Sequence, residues 1–181
     1  MNHTHKLIAC LSVCVIGLIG CSTTPETHED KTALASSSVA AMDGFKAADP
    51  SLQELLSKAE GWAIFPEVGK AGFIVGGSYG RGEVFDDGAK IGYADIKQGT
   101  LGLQIGAQTF SELVIFMQQD DLNRFKQGEF TLNANLSAVA IKPGVAATSD
   151  TSKGVIVFVK TSGGLMAEAS VGGQVFRFSP L

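Results

Sequence analysis

Few residues in this chain have the type and spacing to do chemistry, and the first is the thiol of Cys21, which ends the stretch "LIGC". The chain has three cysteines and three histidines, and Cys10, Cys14, His3 and His5 all precede Cys21. After it only His28 is left, in the polar stretch "STTPETHEDKT", where it reads as a solvated surface residue. The usual nucleophile and base pairs of covalent catalysis are therefore missing from the body of the chain. Asp86 with Asp87 and Asp120 with Asp121 read as turn and helix-start carboxylates, and they lack the ligand spacing of a calcium loop. No cofactor or metal is expected, and the expected role is not enzymatic.

The context of Cys21 says what its thiol is for. A polar start with Lys6 is followed by "LIACLSVCVIGLIG", which carries no charge and has the layout of a secretory signal. The run is shorter than the roughly 20 residues a helix needs to span a bilayer. Its end, Leu18, Ile19, Gly20 and then Cys21, resembles a bacterial lipobox. Small side chains before the cut suit the peptidase, and the thiol can carry a diacylglycerol group. Residues 1–20 are thus expected to be removed as a lipoprotein signal peptide, with Cys21 the acylated, palmitate-bearing lipid attachment site. Residues 21–31 would form a lipidated tether, and residues 32–181 one domain. Several acyl chains at about 0.8 kcal/mol per buried methylene anchor a protein stably without a span. Ser22 stands where an aspartate would be the usual inner-membrane retention signal, so the expected location is the outer membrane, lipid-anchored on its periplasmic face.

With Cys10 and Cys14 removed and Cys21 acylated, the mature chain has no disulfide, and about 160 residues must fold on their own core. The formal net charge is -4, and no run of lysine or arginine occurs. That excludes the basic face expected of a nucleic-acid partner and a polybasic membrane clamp.

From Thr32, Leu34, Ser38, Ala41, Met42 and Phe45 recur at helical spacing, and "DPSLQELLSKAEG" starts a second helix with Asp49 as N-cap, Pro50 at its first position and Gly61 as its stop. Two short helices are expected. Beyond Gly61 the period becomes two. An apolar run ends at Pro66 and a turn is expected around Gly69. A strand follows with Gly72, Ile74, Gly76, Ser78, Gly80 and Gly82 on a nearly bare face and Phe73, Val75, Tyr79 and Arg81 on the other. Such glycines mark bends or the close approach of a backbone or ligand. Alternation continues with Leu101, Leu103, Ile105 and Ala107, then with Phe130, Leu132, Ala134, Leu136 and Ala138; "ELVIFMQ", "GVIVFVK", "LMAEASVG" and "GQVFRF" read as further strands and "QDDLNRFKQGEF" as a short helix. The expected fold class is α+β, with N-terminal helices packed on a mainly antiparallel, strongly curled sheet, barrel-like or sandwich-like.

Four stretches taken together, "GWAIFPEVGKAGFIVGGSYGRGEV", "GTLGLQIGAQTFSELVIFM", "LNANLSAVA" and "SGGLMAEASVGGQVF", resemble the SYLF family, a lipid-binding domain related to the yeast actin-binding protein family. The similarity runs from about Ser51 to Phe178. It implies a lipid-binding module, known in eukaryotic members for phosphoinositides and in some for actin, with bacterial members commonly lipoproteins. Trp62, Phe65, Lys70, Tyr79 and Arg81 are the candidate lipid-contacting residues, because indole and phenol rings suit the interface and cations suit phosphate headgroups. The alternative reading makes Trp62 and Phe65 core residues and Lys70 and Arg81 ordinary surface charges. The expected partners are membrane lipids. A second class of function is an envelope scaffold, pairing its strands and the "LNANLSAVA" face with a protein partner.

Overall fold

The computed structural model describes residues 25–72, 75–101, 106–132, 137–161, 168–170 and 173–181. The signal segment, Cys21 and Ser22 lie outside them, as do Phe73, Ile74, residues 102–105 and residues 133–136 with Ala134 and Leu136.

Helix α1 runs from His28 to Ala48, so it is one long helix that begins inside the stretch expected to be tether. Its start is a capping box: Thr27 Oγ1 accepts from the Asp30 amide at 3.0 Å, and the Asp30 carboxylate accepts from the Thr27 amide at 3.3 Å. Glu29 and Asp30 in the first turn favour the positive end of the helix dipole. The first turns of α1 are exposed and carry no apolar period, so their composition resembles that of a linker. The stripe itself is as expected: Ser38 and Phe45 are buried, and Ala41 and Met42 pack beside them. Helix α2 spans only Leu52–Leu56, with Ser51 rather than Asp49 at its N-cap.

Nine strands follow among the described residues: β1 (Gly61–Gly72), β2 (Val75–Asp86), β3 (Ala89–Leu101), β4 (Gly106–Phe116), β5 (Glu129–Thr131), β6 (Ser137–Ala140), β7 (Val155–Thr161), β8 (Glu168–Ser170) and β9 (Val175–Pro180), with helix α3 (Gln119–Lys126) between β4 and β5. They form one sheet in the order β5-β9-β3-β2-β1-β4-β7-β6-β8. Every pair is antiparallel except β6 with β7. The β2–β3 hairpin closes through Asp87 and Gly88, both at positive φ (47° and 77°), the Asp-Gly chemistry that a tight two-residue turn selects.

The turn expected around Gly69 is absent: β1 passes through Pro66 and Gly69 without ending. Proline removes a ladder donor, and the strand accommodates it with a bulge. The register shifts between Ile64 and Glu67 against β2 and between Phe65 and Val68 against β4. The freed Pro66 carbonyl accepts from Ser111 Oγ at 2.8 Å.

Ring contacts measure the curl. The Phe65 and Phe176 centroids are 5.6 Å apart although β1 and β9 are three strands apart, a separation of roughly 14 Å in a flat sheet. Phe116 of β4 and Phe130 of β5 are five strands apart, yet their rings lie at 6.3 Å. The sheet is a strongly curled half-barrel. Its inner face buries Phe65, Val68, Val84, Ile96, Val114 and Phe176, with Phe125 of α3 filling the interior at 5.0 Å from Phe116 and 5.7 Å from Phe176. The outer face packs Ile64, Leu113, Ile115 and Phe158 against α1 and α2. Both clusters lie between Ala41 and Phe178, so a chain beginning at Ser22 retains the entire core.

Helix α1 crosses the strands. Lys31 Nζ sits 5.9 Å from the Tyr93 ring of β3, while Gly44 lies against Lys160 of β7. Thirteen residues of helix rise about 20 Å, and the four strand spacings from β3 to β7 come to about 19 Å.

The bare face of β2 has its reason here. A side chain on Gly82 would place its Cβ within 2.6 Å of Phe65 Cδ1 and against the Ile64 carbonyl, so the close approach is by the chain's own core. Gly82→Ala should cost about 2 kcal/mol by forcing the Phe65 ring off its position. Urea unfolding checks this, and a loss below about 0.5 kcal/mol would refute the close-approach account.

Candidate functional site

The five candidate residues do not converge. Phe65 is fully buried on the inner face, and alternation along β1 puts its ring against Phe176 rather than outward. It leaves the set of membrane-facing residues as a correction, and the core reading holds for it. Trp62 is half-buried on the outer face, its ring stacked on Phe85 at 5.5 Å and 15°. Tyr79 and Arg81 share that face but sit across α1 from Trp62, because α1 lies over the strands between them. Of Lys70 only the backbone position in β1, opposite Ser78, is described.

Two hollows thus flank α1. The first, about 380 Å³, is lined by Leu34 and Ser37 of the helix and by Pro66, Glu67, Tyr79 and Arg81. Tyr79 is 37% exposed, enough to present its ring to a ligand. Arg81 belongs to a row of alternating charge that the sheet register sets up: Glu67 of β1 opposite Arg81, Arg81 opposite Asp95 of β3, Asp95 opposite Arg177 of β9. Opposite charges facing across strands stabilise a pairing by some tenths of a kcal/mol. Arg81 Nε is buried and has no hydrogen-bond partner among the described residues.

The second hollow is larger, about 490 Å³, between α1, α2 and the outer face of β1 and β2. Trp62, Ile64, Phe85, Met42 and Leu56 supply its apolar wall; Ser38, Asp43, Lys46, Glu83 and Asp87 supply its polar groups. Glu83 is buried and accepts from Lys90 Nζ at 3.0 Å. That hydrogen bond raises the pKa of Lys90 against the opposing effect of burial. Lys90 Nζ also stands 5.2 Å from the Tyr93 ring.

Two carboxyl groups carry more structural consequence than the sequence reading assigned them. Asp49, read there as an N-cap, does accept from the Ser51 amide at 3.0 Å and the Ser51 hydroxyl at 2.7 Å, but it also accepts from the Gly144 amide at 3.1 Å and the Ala146 amide at 2.7 Å. Gly144 has φ +82°, the left-handed conformation favoured by glycine, within the loop that reaches back to this carboxylate. Burial works to raise the pKa of Asp49, and the four donors outweigh it, holding the group at about 2. Glu112 escaped notice altogether. It is fully buried inside the half-barrel, where burial pushes its carboxyl up to about 7 against a hydrogen bond from Gln174 Nε2 at 3.0 Å. Its only sequence signal was a lone glutamate within the run "FSELVIF".

Among the described residues no helix is long and apolar enough to cross a membrane. No curated protein matches the chain. Residues 97–179 match the family described as Ysc84, Las17-binding protein actin regulator, a match that starts in β3 and ends in β9. The family is one of binding domains rather than of known enzymes. The segment from residue 97 to residue 179 is thus similar to the Ysc84, or SYLF, family, in agreement with the resemblance read from the sequence.

Proposed function

We propose that this chain is a non-enzymatic, membrane-binding lipoprotein of a bacterial cell envelope, held by acyl chains on Cys21 at the periplasmic face of the outer membrane. The observation that carries the reading is where the fold begins relative to that cysteine. The N-cap of α1 is Thr27, six residues after Cys21, and six extended residues reach at most about 20 Å. The hollow containing Tyr79 and Arg81 borders α1 at Leu34 and Ser37, within about 15 Å of that N-cap along the helix. A short tether thus keeps an exposed phenol and a cation near the headgroups, where such residues are favoured. The similarity of residues 97–179 to a binding-domain family fits this role.

Two measurements test it. Cys21→Ala should move the protein from the membrane to the soluble fraction; unchanged association would sink the anchor. Residues 22–181, without lipid, should co-sediment with vesicles containing phosphatidylglycerol and cardiolipin, less so at high salt. Tyr79→Ala and Arg81→Glu, checked for an unchanged melting transition, should each weaken that binding several-fold. The family description, which names binding to a protein, favours a second reading as an envelope scaffold. Absence of binding to any vesicle would select it over headgroup recognition.

A further inference from the structure

We propose that the 490 Å³ hollow between α1, α2 and the outer face of β1 and β2 binds a small amphipathic ammonium compound, with its apolar body against Trp62 and Phe85 and its ammonium directed to Ser38 and Glu83. The proposal is independent of the membrane reading, since it concerns the other side of α1 and a soluble ligand.

Size and shape come first. The volume falls in the range of about 300–1,000 Å³ that small-ligand sites occupy, and such sites pair an apolar lining with a few placed polar groups. Here the lining is Met42, Leu56, Ile64 and the stacked pair Trp62 and Phe85. Trp62 retains partial exposure although it packs beside the outer core cluster. A stacked indole and phenyl favour both an apolar chain and a cation near the rings.

The polar groups decide the charge. Ser38 lines the hollow, is 3% exposed, and its hydroxyl has no hydrogen-bond partner among the described residues. A hydroxyl buried in that way is costly unless something bonds to it. Glu83, 2% exposed, presents a carboxylate of which Oε1 is bonded to Lys90. Asp43 and Asp87 stand exposed at the rim, against a single lining cation, Lys46. Acids thus outnumber bases among the lining residues, so the hollow favours a cation and repels a carboxylate or phosphate. An ammonium has three N–H donors and no acceptor, which suits both a hydroxyl oxygen and a carboxylate, and the charged pair gives the stronger bond.

Trp62 is the only tryptophan in the chain and forms part of the wall, so its emission reports occupancy directly. The experiment titrates residues 22–181 with n-decylamine, n-decanoate and n-decanol at pH 7, each below its micelle-forming concentration. The expected result is a saturable change in Trp62 emission with decylamine and at least ten-fold weaker binding of decanoate. Glu83→Gln should weaken decylamine ten-fold or more and narrow the gap to decanoate. Asp87→Asn places a residue that tolerates positive φ in the turn and so keeps the fold; it should weaken decylamine about three-fold. Decanoate binding as tightly as decylamine would overturn the proposal. So would a decylamine response that does not saturate, or an affinity for decylamine that neither substitution changes.

Discussion

Asp49→Ala is expected to lower the unfolding free energy by about 3 to 4 kcal/mol, the cost of stranding buried amides that a charged acceptor had satisfied. The carboxylate is 1% exposed and joins the corner between α1 and α2 to the loop at Gly144 and Ala146, nearly a hundred residues away. Ser51 extends the same link, since its hydroxyl accepts from the Ala147 amide at 3.1 Å. Asparagine is a poor substitute, because its amide group turns donors toward donors. The pH dependence has a definite sign. With a folded pKa of about 2 against an ordinary 3.8, the contribution of Asp49 is fully present above about pH 4 and is lost as pH falls toward 2. The loss is worth about 2.5 kcal/mol. Denaturant titrations of wild type and Asp49→Ala between pH 2 and 6 should therefore converge at the acid end. A constant difference across that range would show that the carboxylate's charge is not what holds the loop.

Glu112→Gln is expected to act in the opposite direction. Inside the half-barrel a charged carboxylate at Glu112 has, among the described residues, one side-chain donor, Gln174 Nε2, and the groups across from it on the neighbouring strands are Phe65 and Val159. A pKa raised from 4.5 to about 7 means that the folded state holds its proton more tightly than the unfolded chain does. Stability then falls as pH rises from about 4.5 to 7, by about 3 kcal/mol in all, and is level above that. A neutral glutamine of the same shape removes this slope. The variant should match wild type near pH 4.5 and exceed it by about 3 kcal/mol at pH 8, as read by urea unfolding at the two values. A variant less stable than wild type at pH 8 would refute the account.

Much of the scaffold was legible because it follows periodicity. The spacing of Ser38, Ala41, Met42 and Phe45 marks a helix face. The alternation of Phe130, Leu132 and Ala138 against Thr131 reads as one strand, but Phe130 and Thr131 belong to β5 and Ala138 to β6, which lie far apart in the sheet; the three apolar residues are buried and Thr131 is exposed. "QDDLNRFKQGEF" yields α3 with Leu122 and Phe125 buried. Local signals misled where a distant neighbour compensates for them. Pro66 and Gly69 look like the end of a strand, yet a bulge and the Ser111 hydroxyl carry β1 through. The polar residues before Thr32 look like linker, yet a capping box makes them helix.

The candidate site was legible only in its residue types. Residue chemistry by itself determined the α+β class, the candidate aromatic and cationic residues and a family resemblance, three of whose four stretches fall within the match at residues 97–179. Those properties reside in short windows: a period, a cap, a few motifs in order. Which candidates face outward was decided by tertiary structure, because the curl of the sheet turns Phe65 inward onto Phe176 while α1, lying across the strands, separates Trp62 from Tyr79 and Arg81. The same holds for Glu112 and for the hollow beside Trp62. Burial and enclosure arise from strands and helices far apart in the chain, and no local pattern records which of them will meet.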